Sequence, residues 1–466
     1  MITTIICTVF VLGYLAIAFE HNLHINKAAS ALLTGVLCWT LYATNGTSFL
    51  QETDVPKWFV EEHAVTNPVV EGESGAEHTA AGGSSHLVRD YIIEGQLAHN
   101  LTEVAQVLFF LLGAMTIVEI VDAFGGFSVI TDRIQATNKL KLLWVIGFLT
   151  FFMSSVLDNL TTTIVMISLV RKLVDDHKTR LFFAGMIVCA ANAGGAWTVI
   201  GDVTTTMLWI KDKISVVEVM IRLFIPSMVC FLAPLILISM FMKGDVQRPQ
   251  ESATEKLLNV PSKAKTIIFL FGFLGLLLVP IFKLVTHLPP FMGILGSLSI
   301  VWIVAELLRR DFDHVTKTST HILDILKRVD SSTILFFLGI LLAVGSLSQA
   351  GILTQAAGLL DTYVGNIDLI AIMIGLLSSV VDNVPLVAAG IEMYKFPRDH
   401  EFWMFLAYTA GTGGSCLIIG SAAGVAAMGL EKINFIWYML HITPFALLGY
   451  FAGAATYYGI VNYLHW

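Results

Sequence analysis

Twelve long apolar runs set the limits on what this chain can fold into. They cover residues 2–19, 28–45, 97–121, 142–170, 181–209, 223–242, 266–285, 291–307, 333–350, 367–394, 402–430 and 436–460. A helix needs about 20 apolar residues to cross a bilayer, and most of these runs are near that length or longer. Hydrophobic residues make up 56% of the chain and charged residues only 13%. That mixture excludes a disordered chain, a coiled coil and an ordinary soluble enzyme. The runs are continuous rather than alternating, which excludes an outer-membrane barrel. The pattern predicts an all-α polytopic membrane protein with about ten transmembrane helices, two re-entrant hairpins and two broken helices. Residues 1–18 end in Ala16-Ile17-Ala18, which looks like a cleavage site, but no basic segment precedes the run, so it reads as a first span. Cys7, Cys38, Cys189, Cys230 and Cys416 all lie in apolar runs without a Cys-x-x-Cys pair and read as buried thiols.

Four runs are interrupted: 142–170, 181–209, 367–394 and 402–430. The first has Lys139 and Lys141 at one end and Arg171 and Lys172 at the other. A hairpin entering and leaving on one side accounts for both clusters, whereas a crossing would carry one of them outside. With 367–394 treated alike and the N-terminus outside, 19 Lys and Arg fall in the connections on one side and 8 on the other. The base-rich side is then cytoplasmic. The stretch 46–95 carries nine acids against Lys57 and Arg89 and faces out. No basic stripe suggests a nucleic-acid partner.

The sequence repeats itself. Ser154-Ser155-Val156-Leu157-Asp158-Asn159 recurs as Ser378-Ser379-Val380-Val381-Asp382-Asn383. Asn192-Ala193-Gly194-Gly195, ending at Gly201, matches Gly411-Thr412-Gly413-Gly414, ending at Gly420. Leu108-Phe109-Phe110-Leu111 matches Leu335-Phe336-Phe337-Leu338. Three matches in one order define two repeats, 1–242 and 266–466, joined by a polar cytoplasmic linker at 243–265. The first repeat starts outside and the second inside, so the two are inverted. Inverted repeats are the organisation of secondary transporters, with the site at the repeat interface near mid-bilayer.

Asp158 and Asp382 are the strongest chemical signals, because a carboxylate in mid-bilayer is costly and functional by default. Asn159 and Asn383 follow them at the hairpin tips, where an amide can both donate and accept. Ser154 and Ser378 offer hydroxyl oxygens a turn away, or simply bond a nearby carbonyl. Asp202 sits in Gly201-Asp202-Val203-Thr204-Thr205, where glycines ease local unwinding and Thr204 and Thr205 add oxygens. The matching position in the second repeat is Ser421, so this charge is not duplicated. Asn192 opens the same Gly-rich segment, as a ligand or as a partner for broken backbone. Glu119, Asp122, Glu306 and Glu392 lie near span ends and read as interfacial. No hydrolase triad, phosphate loop or nucleotide fingerprint is present, so the chain is not read as an enzyme and needs no cofactor.

Asp158, Asp202 and Asp382, with no Lys or Arg in the same runs, favour a cation over an anion. Carboxylate, hydroxyl and amide oxygens suit a hard cation, so Asp158, Asn159, Asp202, Asp382 and Asn383 are expected to bind Na⁺ or Li⁺. The same carboxylates take up protons, and competition at a site open to one side at a time gives Na⁺/H⁺ exchange. An anion or metalloid carrier, for arsenite or an organic acid, is the alternative on the same scaffold.

The paired Ser-Ser-Val-x-Asp-Asn tips, together with the stretch from Asn192 to Thr205, resemble the NhaD-type sodium/proton antiporters of the ion transporter superfamily. The resemblance covers nearly the whole chain. It implies a homodimer in the inner (plasma) membrane, with a scaffold and a transport part that shifts like an elevator. It also implies export of Na⁺ and Li⁺ for H⁺, mostly at alkaline pH. The family's polar residues fall on Ser154, Asp158, Asn159, Asn192, Asp202, Thr204, Thr205, Ser378, Asp382 and Asn383. Dicarboxylate carriers of the superfamily have Ser-Asn-Thr at the tips, where this chain has Asp-Asn.

Overall fold

The computed structural model describes residues 2–18, 20–66, 86–131, 134, 137–247, 260–310, 312, 316, 320–380 and 382–464. Among them the regular structure is helical, with one isolated bridge between Asn138 and Asp245. Six helices are long and apolar enough to cross a membrane: His86–Ala123, Val216–Ser239, Ser262–Thr286, Pro290–Arg309, Ser331–Gln349 and Thr443–Asn462. The first run forms Ile2–Ala18 and the second Lys27–Thr44, both short for a bilayer. The acidic stretch is not all loop: it contains helix Lys57–Thr66 and a π-helical turn, Tyr91–Leu97. Its acids Glu71, Glu73 and Glu77 lie outside the described residues, as does Val381 of the second tip. A further helix, Ile352–Tyr363, stands where the sequence suggested an open connection.

The chain divides into two compact units. One combines residues 1–108, 331–359 and 392–394. Here Lys27–Thr44 and Ser331–Gln349 pack tightly because Gly35 and Gly339 bring the two backbones together. Trp39 Nε1 donates to the Leu342 carbonyl at 2.8 Å, which gives its buried N–H a partner. The other unit holds residues 109–330, 360–391 and 395–466, and contains both broken helices, the first hairpin and the second hairpin up to residue 391.

The first hairpin consists of Lys139–Ser154 and Asn159–Leu173. Both arms pack on helix His177–Gly195. At that helix's start, Lys139 Nζ donates to Thr179 Oγ1 at 3.0 Å, so the hairpin opens there. Near its end, Ser154 Oγ donates to the Ala191 carbonyl at 2.6 Å, so the tip lies there. The run therefore enters and leaves on one side. The start of the linker joins the same side, where Lys139 N–H donates to Gly244 O and Asp175 N–H to Gln247 O.

The second hairpin, Ile367–Leu377 and Asn383–Met393, packs its first arm against Glu401–Gly413. Ser378 Oγ donates to the Ala410 carbonyl at 2.8 Å, as Ser154 does to Ala191. A Cβ at Gly194 would fall on the Phe151 carbonyl, and one at Gly413 would fall on the Gly375 carbonyl. These are matching positions of the two repeats, and both permit direct backbone contact.

The broken helices are His177–Gly195 with Val203–Ile210, and Glu401–Gly413 with Ala422–Glu431. They run antiparallel. Glu431, at the end of the second, binds Arg180, at the start of the first, at 3.1 Å. Asp212, just past the first, binds Arg398, just before the second, at 3.1 Å. Their breaks therefore lie side by side, half-way along each.

Candidate functional site

Each break or tip exposes the first backbone N–H groups of a new helix, and each is capped by the residue that the sequence placed there. Asp158 caps the second arm of hairpin one, accepting the Thr161 N–H at 2.7 Å and the Thr161 hydroxyl at 2.8 Å. Asp382 accepts the Val384 N–H at 3.2 Å. Asp202 caps Val203–Ile210, accepting the Thr204 N–H at 2.8 Å and the Thr204 hydroxyl. Ser421 caps Ala422–Glu431 in the same extended conformation, accepting the Gly424 N–H at 3.1 Å.

The tips come together on Asp202, which is 1% exposed. Asn159 Nδ2, from the first tip, donates to Asp202 Oδ2 at 2.6 Å and to Asn192 Oδ1 at 2.9 Å. Asn383 Nδ2, from the second tip, reaches Asp202 Oδ1 at 3.4 Å. Asn192 Nδ2 passes the network to the second break, donating to Ser415 Oγ at 2.9 Å and Ser421 Oγ at 3.0 Å. Asn159, Asn192, Thr204, Thr205, Asn383, Ser415 and Ser421 are all buried. The carboxylates of Asp382 and Asp158 lie within electrostatic reach of Asp202.

Not every expected site residue reaches this centre. Ser154 and Ser378 spend their hydroxyls on the carbonyls that anchor each tip. Thr205 Oγ1 donates to the Asp202 backbone carbonyl at 2.9 Å rather than to its carboxylate. The tips meet through their asparagines, while Asp158 and Asp382 cap their own helices. Ser415 and Ser421 enter the network through Asn192; the repeat pointed to them only as counterparts of first-half residues.

Glu431 was passed over, because it ends an apolar run beside Lys432. It is buried, and Arg171 Nε donates to it at 2.6 Å and Arg180 Nε at 3.1 Å. This ties the second broken helix to both the first hairpin and the first broken helix. Glu306 pairs with Arg309 at its helix end, at 2.7 Å.

Among known proteins, a family model described as a citrate transporter matches residues 14–396. Sodium/proton antiporter 2 of Arabidopsis thaliana is 42% identical over 97% of this chain and 99% of its own length. Sodium/proton antiporter 1 of the same plant is 44% identical over 97% of this chain and 72% of its own. The Na⁺/H⁺ antiporter NhaD of Vibrio cholerae is 31% identical over 95% of this chain and 88% of its own. Within the citrate-transporter family, the chain belongs to the NhaD-type sodium/proton antiporters. The YdaH transporter of Alcanivorax borkumensis shares the fold, with a TM-score of 0.54, 13% identity, and coverage of 95% of this chain and 99% of that one. For an NhaD-type antiporter, the family and the helices make this a multi-pass membrane transporter rather than an enzyme. The buried Asp202 carboxylate is thus surrounded by amide and hydroxyl groups of both tips and both breaks.

Proposed function

We propose that this chain exchanges cytoplasmic Na⁺, and Li⁺, for external H⁺ by alternating access. Ion and proton compete for Asp202, with Asp158 and Asp382 sharing the load. The observation that carries this reading is a fully buried carboxylate held by asparagines from two oppositely threaded hairpins, with two further carboxylates within electrostatic reach of it. Relatives named for sodium/proton antiport support it. On this reading the base-rich side, where hairpin one opens, is cytoplasmic. The working unit is a homodimer in the inner (plasma) membrane, and the exchange needs no cofactor. Each net charge moved across 100 mV is worth about 2.3 kcal/mol, so a ratio above one H⁺ per Na⁺ would let membrane potential drive export.

The test is proton release from acid-loaded proteoliposomes, followed by a pH-sensitive dye on addition of Na⁺, Li⁺ or K⁺ between pH 7 and 9.5. Na⁺ and Li⁺ should collapse the gradient in the wild type and not in Asp158→Asn or Asp382→Asn. The description of the matching family model favours a second reading, carriage of an organic anion. That reading wins if both variants keep Na⁺-dependent proton movement and labelled citrate is taken up instead.

A further inference from the structure

Several buried helical threonines in this protein send their hydroxyls back to the carbonyl four residues earlier, and Thr179, Thr204, Thr205, Thr206 and Thr409 find other partners. Thr34, Thr116, Thr150 and Thr412 bond their own helix in the first way, at 2.6–2.7 Å. This is the ordinary fate of a hydroxyl inside a helix. Thr162 and Thr163, on the second arm of hairpin one, break the pattern. Both are 0% exposed, and among the described residues neither Oγ1 has a hydrogen-bond partner. An orphaned buried hydroxyl is costly, so a pair of them calls for an occupant.

Their position says which one. They lie three and four residues after Asn159 and so flank it on the helix surface. Helical side chains lean toward the N-terminus, which aims both over the turn carrying Asp158 and Asn159. Thr161 beside them is already committed to Asp158. Besides His177–Gly195, the arm packs on Ala422–Glu431, which has only Ala423, Gly424 and Ala427 buried before Glu431, none with a polar side chain. The second repeat lacks the feature: Asn383 is followed by Val384, Pro385, Leu386 and Val387.

We propose that Thr162 and Thr163 are cation-coordinating residues, whose hydroxyl oxygens replace hydration water on a small alkali ion held against Asn159 and Asp202. This deepens the exchange reading above and rests on it.

The experiment compares Thr162→Val and Thr163→Val with Thr162→Ser and Thr163→Ser in proteoliposomes, titrating Na⁺ against the dye signal. Valine keeps the shape and removes the oxygen. Each valine variant should raise the Na⁺ concentration for half-maximal exchange by about tenfold, the size expected for one lost polar contact to a charge. Serine should restore the wild-type value. The thermal midpoint of the valine variants without Na⁺ should stay level or rise, and its increase on adding Na⁺ should shrink. Thr→Ala variants carry the same expectation should a valine variant fail to fold. Unchanged Na⁺ dependence in the valine and alanine variants overturns the inference while leaving exchange intact. A wild type without any Na⁺ response overturns both.

Discussion

The two repeats share a scaffold and differ in chemistry. At matching places each has a serine anchoring the tip to a carbonyl, a glycine that lets backbone meet backbone, and a capped half-helix. The caps differ: Asp202 in the first repeat, Ser421 in the second, with nearly the same backbone angles. Hydroxyls follow the same division, since Thr161 to Thr163 and Thr204 to Thr206 have no threonine counterparts after Asp382 or Ser421. The lesson is that the backbone framework is matched across the repeats while the polar side chains set on it are not. The first repeat carries most of the buried hydroxyls and two of the aspartates, and the second carries Asp382, the Asn383 amide, Ser415 and Ser421.

The sharpest way to break that comparison is to exchange the caps. Asp202→Asn should abolish Na⁺-dependent proton movement, because it removes the buried charge and keeps the shape. Ser421→Ala should only lower it by a few fold, in line with a lost cap worth about 1 kcal/mol. Equal losses in the proteoliposome assay would mean that the two caps do equivalent work.

The tip asparagines give a smaller contrast. Asn159 makes two bonds, at 2.6 and 2.9 Å, while Asn383 makes one at 3.4 Å. A hydrogen bond to a charged group is worth about 1.5–3 kcal/mol. Asn159→Ala should therefore cost more than Asn383→Ala in exchange rate at saturating Na⁺, and the reverse order would contradict the unequal geometry.

Smaller again are the clasps at the two ends of the broken helices. Glu431 is 2% exposed between Arg171 and Arg180, whereas Asp212, beside Arg398, is 60% exposed. Breaking a buried pair strands the remaining charges, and with Arg171 half in solvent Glu431→Gln should lower stability by about 2 kcal/mol. Arg398→Gln should cost below about 0.5 kcal/mol. Thermal unfolding in detergent measures both, and a larger loss at Arg398 would reverse the ranking.

The weakest effect is a pH dependence at the base of the first broken helix. The Thr179 hydroxyl beside Asp176, with the Thr179 N–H, holds that carboxyl below the usual carboxylate range. Such a group contributes stability that is complete above its unfolded value, about 3.9, and is lost as pH falls through the lower folded value. The gap in thermal midpoint between wild type and Thr179→Val should be constant above about pH 5 and close below it. A gap that widened in acid would contradict the assignment.

Much of this could be read before the structure, for definite reasons. Interrupted apolar runs, paired Asp-Asn tips and Gly-rich breaks are local patterns, and the bases at both ends of run 142–170 pointed to a hairpin. Whether a hydroxyl or amide faces its own backbone or the site is a rotamer choice, and sequence carries no trace of it. Hence Ser154 and Ser378 could be read as ligands or as partners of a carbonyl, and in the structure each donates to a carbonyl of the neighbouring helix. Hence, too, the aspartates beside Asn159 and Asn383 drew more weight than the asparagines that bridge. The Glu431 clasp was hidden by distance, since its two arginines lie 260 and 251 residues earlier in the chain.

Main chain rests directly on main chain at Gly194 and Gly413, and this has a mechanical consequence. There is no pliable side chain at either contact to absorb strain, so each hairpin is seated rigidly on the bent rod beside it, and a single methyl group added at either glycine should wedge the two apart.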